Sequence, residues 1–161
     1  MLLNSWDLYE RFLRKILEIY LKPTLGPELL IEKANIDSWN SWDEHKLIPD
    51  TIMRKNDKIL LLCDAKYKLD YSIGDRRQGR EYIHEFLKKY ERGDLDFNIK
   101  NRNLLLIYPS NELNNYDFYP IEKNPVPKYG CIYAHSIDLT QIDDKSYLES
   151  WVKKIFSKFL K

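Results

Sequence analysis

Residues 59–63 read Ile-Leu-Leu-Leu-Cys, an unbroken apolar run, and no other segment limits the fold as much. A strand with one wet face alternates apolar and polar side chains. A continuous apolar run needs cover on both faces, the habit of a central strand in an α/β sheet. This strand, read over 59–67, then breaks its own pattern with Asp64-Ala65-Lys66. Asp64 and Lys66 are two apart, so on a strand they point to the same face. Pro49-Asp50 lies on the preceding run, across a turn at Lys55-Asn56-Asp57, and reaches that face if the two strands pair. Charged groups placed inside an apolar strand mark a functional site more often than a structural one.

The chain has 161 residues, which predicts one domain over 1–161. Its 43% hydrophobic and 14% aromatic content supplies a core and excludes disorder for the body of the chain. Basic and acidic residues nearly cancel, leaving a net charge of +1, so local patches rather than the sum decide whether a nucleic acid binds. No apolar run approaches the ~20 residues needed to span a bilayer, and the start carries no signal-peptide pattern. The expectation is a cytoplasmic protein with no membrane contact. Cys63 and Cys131 sit in apolar strands as small buried hydrophobes, and no Cys or His spacing suits structural zinc.

The remaining elements follow from periodicity. Leu8, Phe12, Ile16 and Tyr20, with Leu13 and Leu17, predict a helix over 8–21, capped by Asn4 or Ser5 and ended by Pro23. Residues 24–28 form a turn. A weak strand over 29–39, a short one over 46–53 and the apolar strand of 59–67 follow. Residues 69–75 read as a loop. The stripe Tyr82, Ile83, Phe86, Leu87 and Tyr90 gives a helix over 76–91, stopped by Gly93, with Gly79 lowering its propensity. Strands are predicted over 104–108 and 131–139, with an irregular loop at 111–129 between them. Leu148, Trp151, Val152, Ile155, Phe156 and Leu160 define a closing helix over 146–160. The order α-β-β-β-α-β-β-α predicts an α/β fold, a three-layer sandwich around a mixed sheet.

The residues on these elements suit one chemistry. Magnesium takes hard oxygen ligands, commonly one or two carboxylates with water and a substrate phosphate. Asp50 and Asp64 supply carboxylates, and the carbonyl of Ala65 is a candidate third oxygen. Such a metal lowers the pKa of water and offsets charge on a phosphate. Lys66 adds a cation for the charge that builds in the transition state. Nearby carboxylates oppose a lowered lysine pKa, so Lys66 is read as orienting water and stabilising charge rather than as a base. Glu10, at the edge of the first helix's apolar stripe, either joins this site or pairs with Arg14 one turn on. Gln78 and Tyr82 share a helix face, with Tyr82 also readable as core. Arg76, Arg77 and Arg80 form a candidate phosphate patch, and Lys68 extends it. Trp39 and Trp42 are read as core before base-stacking. His45, His84 and His135 form no site. Lys153, Lys154, Lys158 and Lys161 read as the wet face of the last helix.

The order of these pieces resembles the PD-(D/E)xK nuclease superfamily: a helix glutamate (Glu10), Pro49-Asp50, Asp64-Ala65-Lys66, then Gln78-x-x-x-Tyr82. Within it, LYERFLRKIL, LIPDTIM and LLLCDAKYK are most similar to the McrC-type nuclease domain of modification-dependent (5-methylcytosine) restriction systems, over about residues 8–90. The resemblance implies a restriction-endonuclease-like fold and a DNA endonuclease acting on duplex DNA with Mg²⁺, for which Mn²⁺ substitutes. It implies Asp50, Asp64, Ala65 and Glu10 around the metal, with Lys66 catalytic. It also implies defence as the role and an AAA+ GTPase as partner; a double-strand cut needs two active sites or two visits, which makes a homodimer on DNA an expectation. The chain has no P-loop of its own, so any nucleotide-driven step belongs to another chain. The expectation is that this sequence lacks the additional N-terminal region that McrC-type subunits use to engage the AAA+ partner, as an isolated nuclease domain or a standalone relative would, so the resemblance reaches catalysis and not motor coupling. Two alternatives keep the same residues: a nuclease-fold DNA-binding or assembly module without cleavage, and an exonuclease or RNase.

Overall fold

The computed structural model describes residues 5–33, 49–56, 58–68, 72–91, 103–109, 116–120 and 131–157, with side chains omitted at 84–91, 116–120 and 131. In chain order the elements are α1 (Ser5–Leu25), β1 (Leu29–Lys33), β2 (Thr51–Lys55), β3 (Lys58–Ala65), α2 (Ile73–Glu91), β4 (Asn103–Pro109), β5 (Tyr116–Pro120), β6 (Cys131–Ile137) and α3 (Lys145–Phe156). The strands make one mixed six-stranded sheet in the order β1-β2-β3-β4-β6-β5. β1, β2 and β3 are antiparallel neighbours, β3, β4 and β6 run parallel, and β5 returns antiparallel along the far edge. The apolar run is therefore an interior strand, with Leu61 and Leu62 at no more than 1% exposure.

The alternation of β3 and β4 sends side chains to two differently covered faces. Leu61, Cys63, Leu105 and Ile107 join a core with Leu13, Ile16 and Leu17 of α1 and Val152, Ile155 and Phe156 of α3. On the opposite face, α2 lies so close to the sheet that a Cβ on Gly79 would stand 2.8 Å from Leu104 Cδ2 and 2.9 Å from Ile132 Cδ1. Helices thus cover both faces, in three layers. Gly79, expected to weaken the helix, is the residue that lets it approach the sheet.

Several sequence expectations need correction. The strand Tyr116–Pro120 lies inside the segment 111–129 that reads as an irregular loop. It is a short edge strand closed by proline, too brief for its period to stand out among Asn and Pro residues. Among the described residues the order is therefore α-β-β-β-α-β-β-β-α. Helix α1 continues past Pro23 to Leu25. Proline there costs the bond to the carbonyl of Ile19, on the exposed side of the helix. The helix closes instead at Gly26 (φ 98°), whose N–H donates to Lys22 O at 3.0 Å. The buried stripe of α1 is Tyr9, Leu13, Ile16, Leu17 and Leu21, whereas Leu8 is 57% exposed.

Helix α2 begins at Ile73 rather than Arg76. Ser72 and Asp75 form a reciprocal cap: Ser72 N donates to Asp75 Oδ2 at 3.0 Å and Asp75 N to Ser72 Oγ at 3.3 Å. β1 is described over Leu29–Lys33, with the rest of its predicted span to 39 lying outside the described residues, and β2 runs on to Lys55. β3 ends at Ala65 and β6 at Ile137, each two residues short of its predicted end. α3 ends at Phe156, with Asp144 as N-cap accepting from Ser146 N at 2.8 Å and Tyr147 N at 3.1 Å. Asn4, Trp39, Trp42, His45, Gly93, Lys158 and Lys161 lie outside the described residues, as does the side chain of His84. His135 is buried on β6, and Lys153 and Lys154 are exposed. Among the described residues no helix is long and apolar enough to cross a membrane.

Candidate active site

The sheet register brings the separated acids together. Thr51 on β2 pairs with Cys63 on β3, which carries Asp50, the residue before β2, to the carboxyl end of β3. There the N–H of Ala65 donates to Asp50 Oδ2 at 2.7 Å. The Asp64 carboxyl lies close enough to act on that of Asp50. Burial, the charge of Asp64 and, more weakly, the charge of Glu10 push the Asp50 carboxyl up to about 8, against the Ala65 bond that lowers it. Asp50 therefore keeps its proton into the neutral range, where a simple surface aspartate would be ionised.

Asp64 and Lys66 point to the α2 face. Both are buried, at 4% and 8% exposure, a rare state for charged groups unless paired. Lys66 Nζ lies 2.5 Å from Asp64 Oδ2 and donates to Gln78 Oε1 in a short hydrogen bond. Tyr82 OH donates to Asp64 Oδ1 at 3.4 Å. Burial, followed by the charges of Asp64 and Asp50, pushes the Tyr82 hydroxyl well above its ordinary range, so it stays protonated. The spacing of Gln78 and Tyr82, one helical turn, thus sets two polar groups against Asp64 of β3 and Lys66 just beyond it. On the other side of the same strand, Cys63 is buried and its thiol is pushed up by burial and by the two aspartates, which keeps it inert.

Glu10 is half-buried on α1 and pairs with Arg14, with Nη1 3.8 Å from its Oε2. The same nitrogen donates to Asp50 O at 3.4 Å. Glu10 therefore does both things its position suggests: it pairs with Arg14 and its charge reaches Asp50. Arg77 and Arg80 are exposed on α2, and Arg76 is half-buried. Lys68 is exposed and lies against the start of α2, 2.8 Å from Asp75 Oδ2 and 2.8 Å from Ser72 Oγ.

One buried acid at this site is not among the residues that sequence motifs single out. Asp75, in the first turn of α2, is only 5% exposed. Its Oδ2 accepts from Lys68, from Tyr108 OH at 2.8 Å and from Ser72 N, while its Oδ1 stands 4.0 Å from Lys66 Nζ. Burial raises its carboxyl, but the bonds from Lys68, Tyr108 and Ser72 and the charge of Lys66 outweigh that and hold it below the usual carboxylate range. The signal was present as Ser72-x-x-Asp75, a capping pattern. Beside the site, Trp6 and Tyr67 stack at 5.3 Å with a 15° interplanar angle, and Tyr9 meets Tyr67 edge-on.

Among the described residues, no group of three His, Cys, Asp or Glu side chains stands arranged to hold a metal. The donor chemistry nevertheless suits a hard divalent ion with two protein carboxylates. Asp64 is a buried oxygen donor and Asp50 a half-buried one, in mutual repulsion that Lys66 relieves beside Asp64. A cation between them relieves the same repulsion.

The arrangement defines an α/β sandwich with two carboxylates and an ammonium at the carboxyl end of a central strand. No family model matches the chain, and no curated protein does. Among solved structures, it is similar to a chain in an assembly from Thermococcus gammatolerans, described as a refined half-complex from a tetradecameric assembly of McrB AAA+ hexamers with bound McrC. The TM-score is 0.60 and the identity 16%, over 97% of this chain and 33% of that one. The likeness is one of fold, and the chain spans about a third of the length of that neighbour.

Proposed function

We propose that the chain is a Mg²⁺-dependent nuclease of the restriction-endonuclease-like fold, cutting phosphodiester bonds in DNA. The observation that carries this reading is the contact of Asp50 with Asp64 at the end of β3, with Lys66 on the same strand end. Asp50 and Asp64 would hold the ion, with Glu10 tuning their charge through Asp50. Bound there, Mg²⁺ makes water a better nucleophile at neutral pH and offsets charge on the phosphate. Hydrolysis forms a bond from a water oxygen to phosphorus and breaks one ester P–O bond, and the departing alcohol takes a proton. Lys66 provides fixed positive charge where the phosphoryl oxygens gain negative charge. Gln78 holds the lysine, and Tyr82 holds Asp64. Arg77 and Arg80 supply backbone phosphate contacts. Likeness to a chain from an assembly of AAA+ hexamers with bound McrC supports a role as the cleavage part of a restriction system with an AAA+ partner.

The test is cleavage of circular duplex DNA by the purified chain, alone and with a candidate AAA+ partner, in Mg²⁺, Mn²⁺ or EDTA. Metal-dependent nicking or linearisation that Asp64→Ala removes, by about 100-fold or more, supports the proposal. DNA binding without cleavage under every condition identifies a binding or assembly module instead. Cleavage confined to DNA ends or to RNA changes the substrate and keeps the site.

A further inference from the structure

Lys66 and the proposed metal compete for one atom. The ammonium rests on Asp64 Oδ2, and Asp64 is a carboxylate that a divalent ion needs. A cation arriving at Asp64 repels the ammonium and takes its partner. A buried ammonium that loses its carboxylate requires another. Among the described residues Asp75 meets that requirement. It is buried, its Oδ1 faces Lys66 at 4.0 Å, and its Oδ2 is fixed from three directions by Lys68, Tyr108 and Ser72. Gln78 Oε1 already accepts from the same ammonium, so a short rotation of the lysine end exchanges one carboxylate for another without breaking that bond.

We propose that Asp75 and Gln78 form a second seat for the Lys66 ammonium, taken when Asp64 turns to metal, so that Asp75 is a positioning residue for metal loading. The inference rests on the nuclease reading for the identity of the ion. It assigns Asp75 a task that helix capping alone does not need: a cap at Ser72 is served by a carboxylate that faces the backbone, whereas Asp75 also faces a buried lysine. Lys66 then alternates between two positions, one neutralising Asp64 before metal arrives and one leaving Asp64 available.

The experiment is Mn²⁺ binding to the full chain, followed by the loss of free-ion EPR signal, in wild type, Asp75→Asn, Lys66→Met and the double variant. Asp75→Asn is expected to weaken Mn²⁺ binding by about tenfold. Lys66→Met is expected to bind at least as tightly as wild type, because the competing ammonium is gone. In the Lys66→Met background, Asp75→Asn should cost little more. An equal loss in both backgrounds overturns the proposal, because it shows a charge or folding effect that does not pass through Lys66. Unchanged binding in Asp75→Asn overturns it as well. Gln78→Met removes the other half of the seat and serves if Asp75→Asn does not fold; it too should weaken Mn²⁺ binding only when Lys66 is present. A wild-type chain that binds no Mn²⁺ overturns the metal-site reading, and this inference falls with it. Wild-type binding with no coupling to Lys66 overturns this inference alone.

Discussion

The N–H of Ala65 donates to Asp50 Oδ2 at 2.7 Å, tying the residue that precedes β2 to the last residue of β3. The bond holds Asp50 beside Asp64 in a buried setting, and the Asp50 carboxyl is pushed up to about 8 by burial and by Asp64. The folded chain therefore keeps a proton that the unfolded chain releases near pH ~4. Between those values the folded state binds more protons, so this group's contribution to stability is greatest below the unfolded pKa and is lost as pH rises toward 8. In EDTA, the urea midpoint of the wild type should fall between about pH 5 and about pH 8 more steeply than that of Asp50→Asn. Parallel slopes in the two proteins would exclude this role for Asp50. Protons and metal compete for the same oxygens, so Mg²⁺ affinity should rise over the same range.

Tyr82 contributes one hydroxyl to Asp64 and a ring to the core. Tyr82→Phe keeps the ring, which is buried at 3% exposure, and deletes the bond to Asp64 Oδ1. The expected stability loss is about 1 kcal/mol, typical of one hydrogen bond. Because Asp64 is then less firmly oriented, cleavage should drop by about tenfold, the scale seen when a metal ligand loses the partner behind it. Thermal unfolding and cleavage rates at saturating Mg²⁺ check the two effects separately. A variant with wild-type cleavage would reduce Tyr82 to packing.

Gly79 sets the distance between α2 and the sheet. Alanine normally gains about 1 kcal/mol over glycine inside a helix. Here the added methyl meets Leu104 Cδ2 and Ile132 Cδ1 at under 3 Å, and both side chains are fully buried. Overpacking of this kind costs about 1–3 kcal/mol, so Gly79→Ala should be destabilising on balance and Gly79→Val more so. The same displacement moves Gln78 and Tyr82 away from Lys66 and Asp64, so cleavage should fall with stability. Chemical denaturation of the two variants checks the order.

Much of this arrangement is legible in the sequence because it depends on short-range patterns. The apolar run before Asp64 identifies an interior strand, and residue spacing places Asp64 with Lys66 and Gln78 with Tyr82. Asp50 needed one long-range fact, the Thr51–Cys63 register, which the intervening turn makes readable. Asp75 was hidden for a different reason. In a polar stretch beside Gly74, an aspartate looks solvated, and only tertiary contact with Tyr108 of β4 and with Lys66 just beyond β3 buries it. Lys68, read as extending a phosphate patch, stays exposed and also pairs with Asp75, a partner that spacing along the chain does not show. The stripe of α1 was displaced toward Tyr9 because Tyr9 is anchored by its hydroxyl, which donates to Ile107 O at 3.3 Å, an interaction that periodicity alone does not register.

Arg77 and Arg80 are exposed on the helix that carries Gln78, three apart and so on neighbouring parts of one face. Lys68 is exposed as well but pairs with Asp75, so the test is made on these two arginines. Replacing both with alanine should leave thermal stability within about 0.5 kcal/mol of wild type, as expected for surface changes away from packing. DNA affinity should fall for all sequences alike, and the slope of log affinity against log salt should lessen by about one for each phosphate that the variant no longer neutralises. Metal binding at Asp50 and Asp64 should be unchanged, which separates substrate capture from assembly of the site. Filter binding or anisotropy across a salt series, with Mn²⁺ titration of the same variant, gives both readings. An unaltered salt slope would place the DNA backbone on another surface of the chain.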